Sequence, residues 1–185
     1  MGIAYKNFWS LNTDEAVAAG ILRNGTNKDI EVLMPLNAQM KGIDLCLMSV
    51  ETKRVITIQV KGSKAYEPQK REVKKFGSGS AGWFFFPKEV ISKATADYFL
   101  FLIYVIEENK KIGRRTIEPH IILIPTKILV KKCQECKNIH GKGRLSFIIW
   151  VNPQTKEAFD FRDKKIVLDN FLDEKGLKNI NSEFK

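Results

Sequence analysis

Residues 42–63 read Gly42-Ile43-Asp44-Leu45-Cys46-Leu47-Met48-Ser49-Val50-Glu51-Thr52-Lys53-Arg54-Val55-Ile56-Thr57-Ile58-Gln59-Val60-Lys61-Gly62-Ser63. Two runs in this stretch alternate with period two, the spacing at which successive side chains of a strand face opposite ways. In the first, Ile43, Leu45 and Leu47 share one face and Asp44, Cys46 and Met48 the other. In the second, Ile56, Ile58 and Val60 share one face and Val55, Thr57, Gln59 and Lys61 the other. Glu51-Thr52-Lys53 supplies a turn between them, so the stretch predicts a hairpin of strands Ile43–Ser49 and Arg54–Lys61. An acid flanked by Ile43 and Leu45 is costly to bury without a partner. The hairpin offers partners, because it sets the Asp44 carboxylate, the Gln59 amide oxygen and the Lys61 ammonium side by side. Oxygen ligands suit a hard cation such as Mg2+. A lysine beside such a cation can orient a water and stabilise developing negative charge.

Upstream of the hairpin, Thr13 is a candidate helix N-cap, with Asp14 and Glu15 in the first turn where the helix dipole favours acids. Val17, Ala18, Ile21 and Leu22 form an apolar stripe at helical spacing, and Gly25 ends it. Glu15 lies beside Leu22 at the margin of this stripe, and Asp14 lies nearer its centre. Ile30–Leu36 reads as a strand. Downstream, Gly62–Gly82 reads as an irregular, basic, glycine-rich loop, and Pro87–Ala96 as a short helix. Ala96–Ile106 is an aromatic-rich strand, Glu107–Glu118 a charged turn and Pro119–Pro125 a strand. Thr126–Lys132 is a short helix, Leu145–Val151 a strand and Asp163–Lys175 a C-terminal helix. This order predicts a layered α/β domain with a mixed sheet.

The pattern Asp44, a spacer, then Gln59-x-Lys61 resembles the PD-(D/E)xK nuclease superfamily, in the variant where glutamine replaces the second acid. Glu15, followed by Leu22 and Gly25, is similar to the helix glutamate that precedes the core strands in many members. The resemblance implies an αβββαβ restriction-endonuclease-like core over about residues 10–125, with a central mixed sheet flanked by helices. A C-terminal strand and helix extension fills 126–185, within a single nuclease-like domain over 1–185. It implies that Asp44 is the main metal ligand, that Gln59 offers a neutral oxygen and that the Val60 carbonyl is a backbone ligand. Lys61 would position the water, and Glu15 would reach the site from its helix. The implied activity is Mg2+- or Mn2+-dependent hydrolysis of DNA phosphodiester bonds, with a homodimer to cut both strands. The sequence departs from the family in two ways: Ile43 stands where a proline is usual, and the glutamine removes one negative charge.

Composition agrees with a polyanionic partner. The 185 residues carry 31 Lys and Arg against 21 Asp and Glu, a formal charge of +10. With 44% apolar and 28% charged residues, a packed core is expected and wholesale disorder is excluded. No apolar run is of membrane-spanning length, and no amphipathic basic helix accompanies the charge, so a membrane partner is not expected. The N-terminal residues show no hydrophobic signal core, and three cysteines make no closed disulfide framework; the expected compartment is the cytoplasm. Lys64, Lys70, Arg71, Lys74 and Lys75 follow Lys61 closely and are the candidate nucleic-acid contacts, with Tyr66, Phe76 and Trp83 available to stack on a base. Within Trp83–Phe86 as a whole the expected role is core. Cys133, Cys136 and His140 have zinc-like spacing but supply three ligands where zinc takes four, so free thiols are expected. Two other readings stay open: a nucleic-acid-binding module that has lost catalysis, and a basic domain that docks an acidic protein.

Overall fold

The computed structural model describes residues 13–35, 42–109, 113–135, 141, 143–162 and 166–185. The predicted first helix is α1, Thr13–Gly25. Its inward residues are Glu15, Ala18 and Leu22, spaced by three and four as one helix face requires. Strands β1 (Ile30–Leu33), β2 (Leu45–Ser49) and β3 (Val55–Gly62) follow as an antiparallel meander, with Leu45 opposite Ile58 and Leu47 opposite Ile56. The alternation read in residues 42–63 therefore sets the register.

The chain then leaves the sheet through helix α2 (Lys70–Phe76), strand β4 (Ser80–Pro87) and helix α3 (Lys88–Ser92). It returns as β5 (Tyr98–Asn109), parallel to β3 with Gln59 beside Phe99 and Lys61 beside Phe101. Asp97 locks this junction: its carboxylate accepts from the Thr57 backbone N–H at 2.8 Å and hydroxyl at 2.7 Å. Strand β6 (Arg114–Pro125) pairs antiparallel with β5, which completes a mixed five-stranded sheet in the order β1-β2-β3-β5-β6. Helix α4 (Thr126–Glu135), strands β7 (Arg144–Asn152) and β8 (Glu157–Asp160), a 3-10 turn at Asp169–Phe171 and helix α5 (Asp173–Ser182) follow. Strands β4, β7 and β8 form a second, antiparallel sheet of three.

The five-stranded sheet is buried on both sides. On one face, Ile56, Ile58, Val60, Leu100 and Leu102 pack with Ala18 and Leu22 of α1 and Ile180 of α5. On the other, Phe99, Phe101 and Ile103 pack against Phe84 and Phe86 of β4, Phe147 and Ile149 of β7, and Leu129 of α4. Gly82 is required at this contact, since a Cβ there would press into Ile103 and Phe84. Burial of this kind stabilises by about 25 cal/mol per Å² of apolar surface, which makes the two cores the main source of cohesion.

Several expectations need correction. Gly62–Gly82 is not irregular throughout, for it contains α2 and the start of β4. The Glu72 carboxylate accepts from the Gln69 N–H at 2.7 Å at the start of α2, and Phe76 packs beside Trp150, Phe159 and Phe161. Those ring partners lie more than seventy residues downstream, where a local reading has no access. The charged turn at Glu107–Glu118 is much shorter, because backbone pairing of β5 and β6 continues out to Asn109 opposite Arg114. Exposed charges are no bar to a ladder whose hydrogen bonds are backbone ones. Strand β8 was not expected. The C-terminal helix is not Asp163–Lys175 but begins at Asp173. Asp173 has φ +44° and its carboxylate accepts from the Ile121 N–H at 2.9 Å, so the helix starts where it is tied to β6.

Candidate active site at the end of strand β3

Strand alternation places Gln59 and Lys61 on the face of β3 that bears Thr57, opposite the apolar face packed on α1. Asp44 lies one residue before β2. Its N–H donates to the Ile58 carbonyl at 2.9 Å, which carries the antiparallel pairing one residue further. Its carboxylate accepts from the Val60 N–H at 2.8 Å. The expected juxtaposition of Asp44, Gln59, Val60 and Lys61 on adjacent strands is therefore present.

Gln59 is 7% exposed, and its Oε1 is buried without a hydrogen-bond partner. Leaving such an acceptor unmade costs about 1–3 kcal/mol, so an orphan of this kind calls for an explanation. Lys61 is half-buried. Burial lowers its pKa below the ordinary lysine value, while the negative charges of Asp44 and Glu15 act in the opposite direction. Glu15 thus belongs to the electrostatic surroundings of Lys61, although α1 packs on the other face of the sheet.

The approach of α1 to the end of β3 explains this reach. A Cβ at position 62 would overlap the Asp14 carboxylate, so glycine lets the first turn of α1 close on the strand. Asp14, the rival to Glu15, is engaged elsewhere: the Tyr104 hydroxyl donates to it at 2.9 Å. Burial, with that bond and the Asp14 charge, pushes the Tyr104 hydroxyl up to about 12. Glu15 is 8% exposed and faces inward.

The residues named from the sequence offer two carboxylates, an amide oxygen and a backbone carbonyl. Among the described residues, no three His, Cys, Asp or Glu side chains gather as a metal centre. Cys133 is buried on α4, while Cys136 and His140 lie outside the described residues. Cys46 is half-buried, because β2 turns it away from Leu45 and Leu47. The basic residues Lys64, Lys70, Arg71, Lys74 and Lys75 are all exposed.

The aromatic residues after Lys61 divide differently from the expectation. Phe76 is in the interior cluster with Trp150 and is not placed to stack on a ligand. Trp83–Phe86 is only half core: Phe84 and Phe86 point inward, whereas Trp83 is 44% and Phe85 58% exposed. Alternation along β4 causes the split, and the period-two reading applied to residues 80–87 would have found it. Comparison with models of known families, with curated proteins and with solved structures gives no match.

Among the described residues no helix is long and apolar enough to cross a membrane.

Proposed function

We propose that this chain is a metal-dependent nuclease that hydrolyses DNA phosphodiester bonds at the Asp44–Gln59–Lys61 constellation, on a restriction-endonuclease-like core. The observation that carries the reading is the orphaned Gln59 Oε1, buried on the same strand whose Val60 N–H is held by Asp44. A buried acceptor without a partner fits a hard cation, which takes neutral amide and carbonyl oxygens as readily as carboxylates. Asp44, Gln59 and the Val60 carbonyl would hold Mg2+ or Mn2+, with Glu15 reaching in from α1. The ion, when bound, supplies Lewis-acid polarisation of the scissile phosphate.

The chain's own residues account for the remainder. The Val60 N–H fixes one Asp44 oxygen and so the direction of the carboxylate. Lys61, with the charges of Asp44 and Glu15 acting on it, offers donors to a phosphate oxygen or an attacking water. The +10 charge supplies salt-sensitive attraction for the substrate backbone.

A cleavage assay on plasmid and oligonucleotide DNA tests this. Wild-type protein is expected to cut with Mg2+ or Mn2+ and not in EDTA. Full activity in Asp44→Ala or Lys61→Ala would overturn the mechanism. The second reading, a binding module without catalysis, is favoured by the count of two carboxylates instead of three. Tight, salt-dependent DNA binding with no cleavage in either metal would establish it instead. Size-exclusion with light scattering tests the homodimer.

A further inference from the structure

The residue after Lys61 opens a groove of about 420 Å³, lined by Gly62, Ser63, Lys64, Tyr66, Trp83 and Phe85. Its walls are aromatic. Trp83 lies 5.7 Å from Tyr66 and 6.2 Å from Phe85, centroid to centroid. The fold holds the Trp83 backbone and the Tyr66 ring. The Trp83 backbone N–H donates to Ser63 Oγ at 2.8 Å, and the Ser63 N–H donates to the Leu102 carbonyl at 3.1 Å. The Tyr66 hydroxyl donates to the Glu72 carboxylate at 2.9 Å, and its carbonyl accepts from the Ser80 hydroxyl. Tyr66 is thus held half-buried at the base of the groove, while Trp83 and Phe85 are open to solvent. Single exposed apolar residues are ordinary, but fixed neighbouring aromatics in a groove are a recognition surface.

The charge next to the groove in the chain points to the occupant: over 64–75 five cations stand against Glu67 and Glu72. Lys64 lines it, and Lys70, Arg71, Lys74 and Lys75 of α2 follow within eleven residues, all exposed. Aromatic faces beside a cationic track match unpaired bases on a phosphate backbone: each base has a π-face to stack, and every phosphate is drawn to the cations. Duplex DNA keeps its bases stacked on one another and offers no free face to Trp83.

We propose that the groove of Tyr66, Trp83 and Phe85 holds unpaired nucleobases, so that the chain binds single-stranded nucleic acid, or a single-stranded portion of a substrate, next to Lys61. The inference rests on the nuclease reading for its position relative to chemistry, but not for binding itself. The test is therefore run without metal. Affinities in EDTA are measured by fluorescence anisotropy for an oligothymidine strand, a strand of equal length bearing abasic sites, and a blunt duplex. Wild-type protein is expected to bind oligothymidine about tenfold more tightly than the abasic strand. The salt dependence should be the same for both, since both keep their phosphates. Trp83→Ala with Phe85→Ala should erase that tenfold difference, whereas Trp83→Tyr should keep most of it.

Equal binding of thymidine and abasic strands by wild-type protein would overturn the proposal, and needs no variant to fold. A preference for duplex would overturn it as well. Because no cleavage is read, failure of the groove and failure of the Asp44–Lys61 mechanism are separate results.

Discussion

Two acidic centres in this fold, Asp160 buried and Asp44 half-buried beside a buried amide, differ in how their hydrogen bonds close. In the three-stranded sheet, Asp160 is 0% exposed and fully engaged. It accepts from the Ile148 N–H at 3.0 Å and the Arg162 N–H at 2.9 Å, and pairs with the Arg162 guanidinium at 3.2 Å. That guanidinium in turn donates to the Ser146 hydroxyl at 2.9 Å and to the Ser146 carbonyl. At the end of β3, Asp44 also takes a backbone N–H, but the neighbouring amide oxygen of Gln59 takes nothing. The first centre ties β7 to the turn after β8. The second keeps the Gln59 amide oxygen buried without satisfying it, and an orphan of that kind calls for an explanation.

Mutation should separate the two centres, and the largest effect is expected on chemistry. Under the proposed mechanism, Asp44→Ala and Lys61→Ala should each lower the rate of metal-dependent DNA cleavage by about a thousandfold or more, by loss of a ligand and of charge stabilisation. Thermal unfolding of the same variants should shift by only a few degrees. Asp160→Ala should do the opposite. It leaves the buried Ile148 N–H without its partner and the half-buried Arg162 with only Ser146, at a cost of about 2–3 kcal/mol in urea unfolding. Whatever Asp160→Ala protein folds should cleave at close to the wild-type rate. A strongly destabilised Asp44→Ala, or an unaffected Asp160→Ala, would erase the distinction.

Gln59 gives a finer cut. Gln59→Leu removes the orphaned acceptor and fills the same space with apolar atoms. Its stability should rise by up to about 1 kcal/mol while cleavage falls, the usual exchange at a functional site. Gln59→Glu supplies the acid that the family pattern has at this position. It should lower the Mg2+ concentration needed for half-maximal cleavage severalfold, because a charged oxygen binds a hard cation better than a neutral one. Loss of stability in Gln59→Leu would mean that the amide already has a partner.

The contrast also separates what could be read from sequence from what could not. The hairpin, its register and the company of Asp44, Gln59 and Lys61 were legible, because period-two alternation and a short turn are local signals. Glu15 was legible as a candidate, but its preference over Asp14 was not. The places of both acids depend on Gly62 and Tyr104 from two other strands, since Asp14 lies against Gly62 and accepts from the Tyr104 hydroxyl. The Asp160 centre was invisible, since strand β8 is short and its meaning lies in a partner strand. Helix α2 was hidden for a similar reason: Phe76 anchors it on Trp150, Phe159 and Phe161. Trp83 and Phe85 were misassigned because four successive large residues at 83–86 read as uniform core, while the strand alternates them.

His120 falls between the two centres and sharpens the comparison. Its Nδ1 lies 2.8 Å from the Asp173 carboxylate, while its Nε2 is buried without a partner. Burial, the largest influence, lowers its pKa. The Asp173 hydrogen bond and charge, with Glu107 and Glu118, outweigh it, so the net shift is upward from 6.5. A raised folded pKa means that the fold holds the proton more tightly than the unfolded chain does. The resulting stability is fully present below about pH 6.5 and is lost as pH rises through the raised value. Asp173 is about one-third exposed, so screening keeps the contribution near 0.5–1 kcal/mol. Urea unfolding from pH 5.5 to 8.5 should therefore show a decline in wild-type protein that flattens in Asp173→Asn, where burial acts against fewer opposing charges. An unchanged slope in that variant would mean that the pair of His120 and Asp173 does not set the pH dependence of the fold.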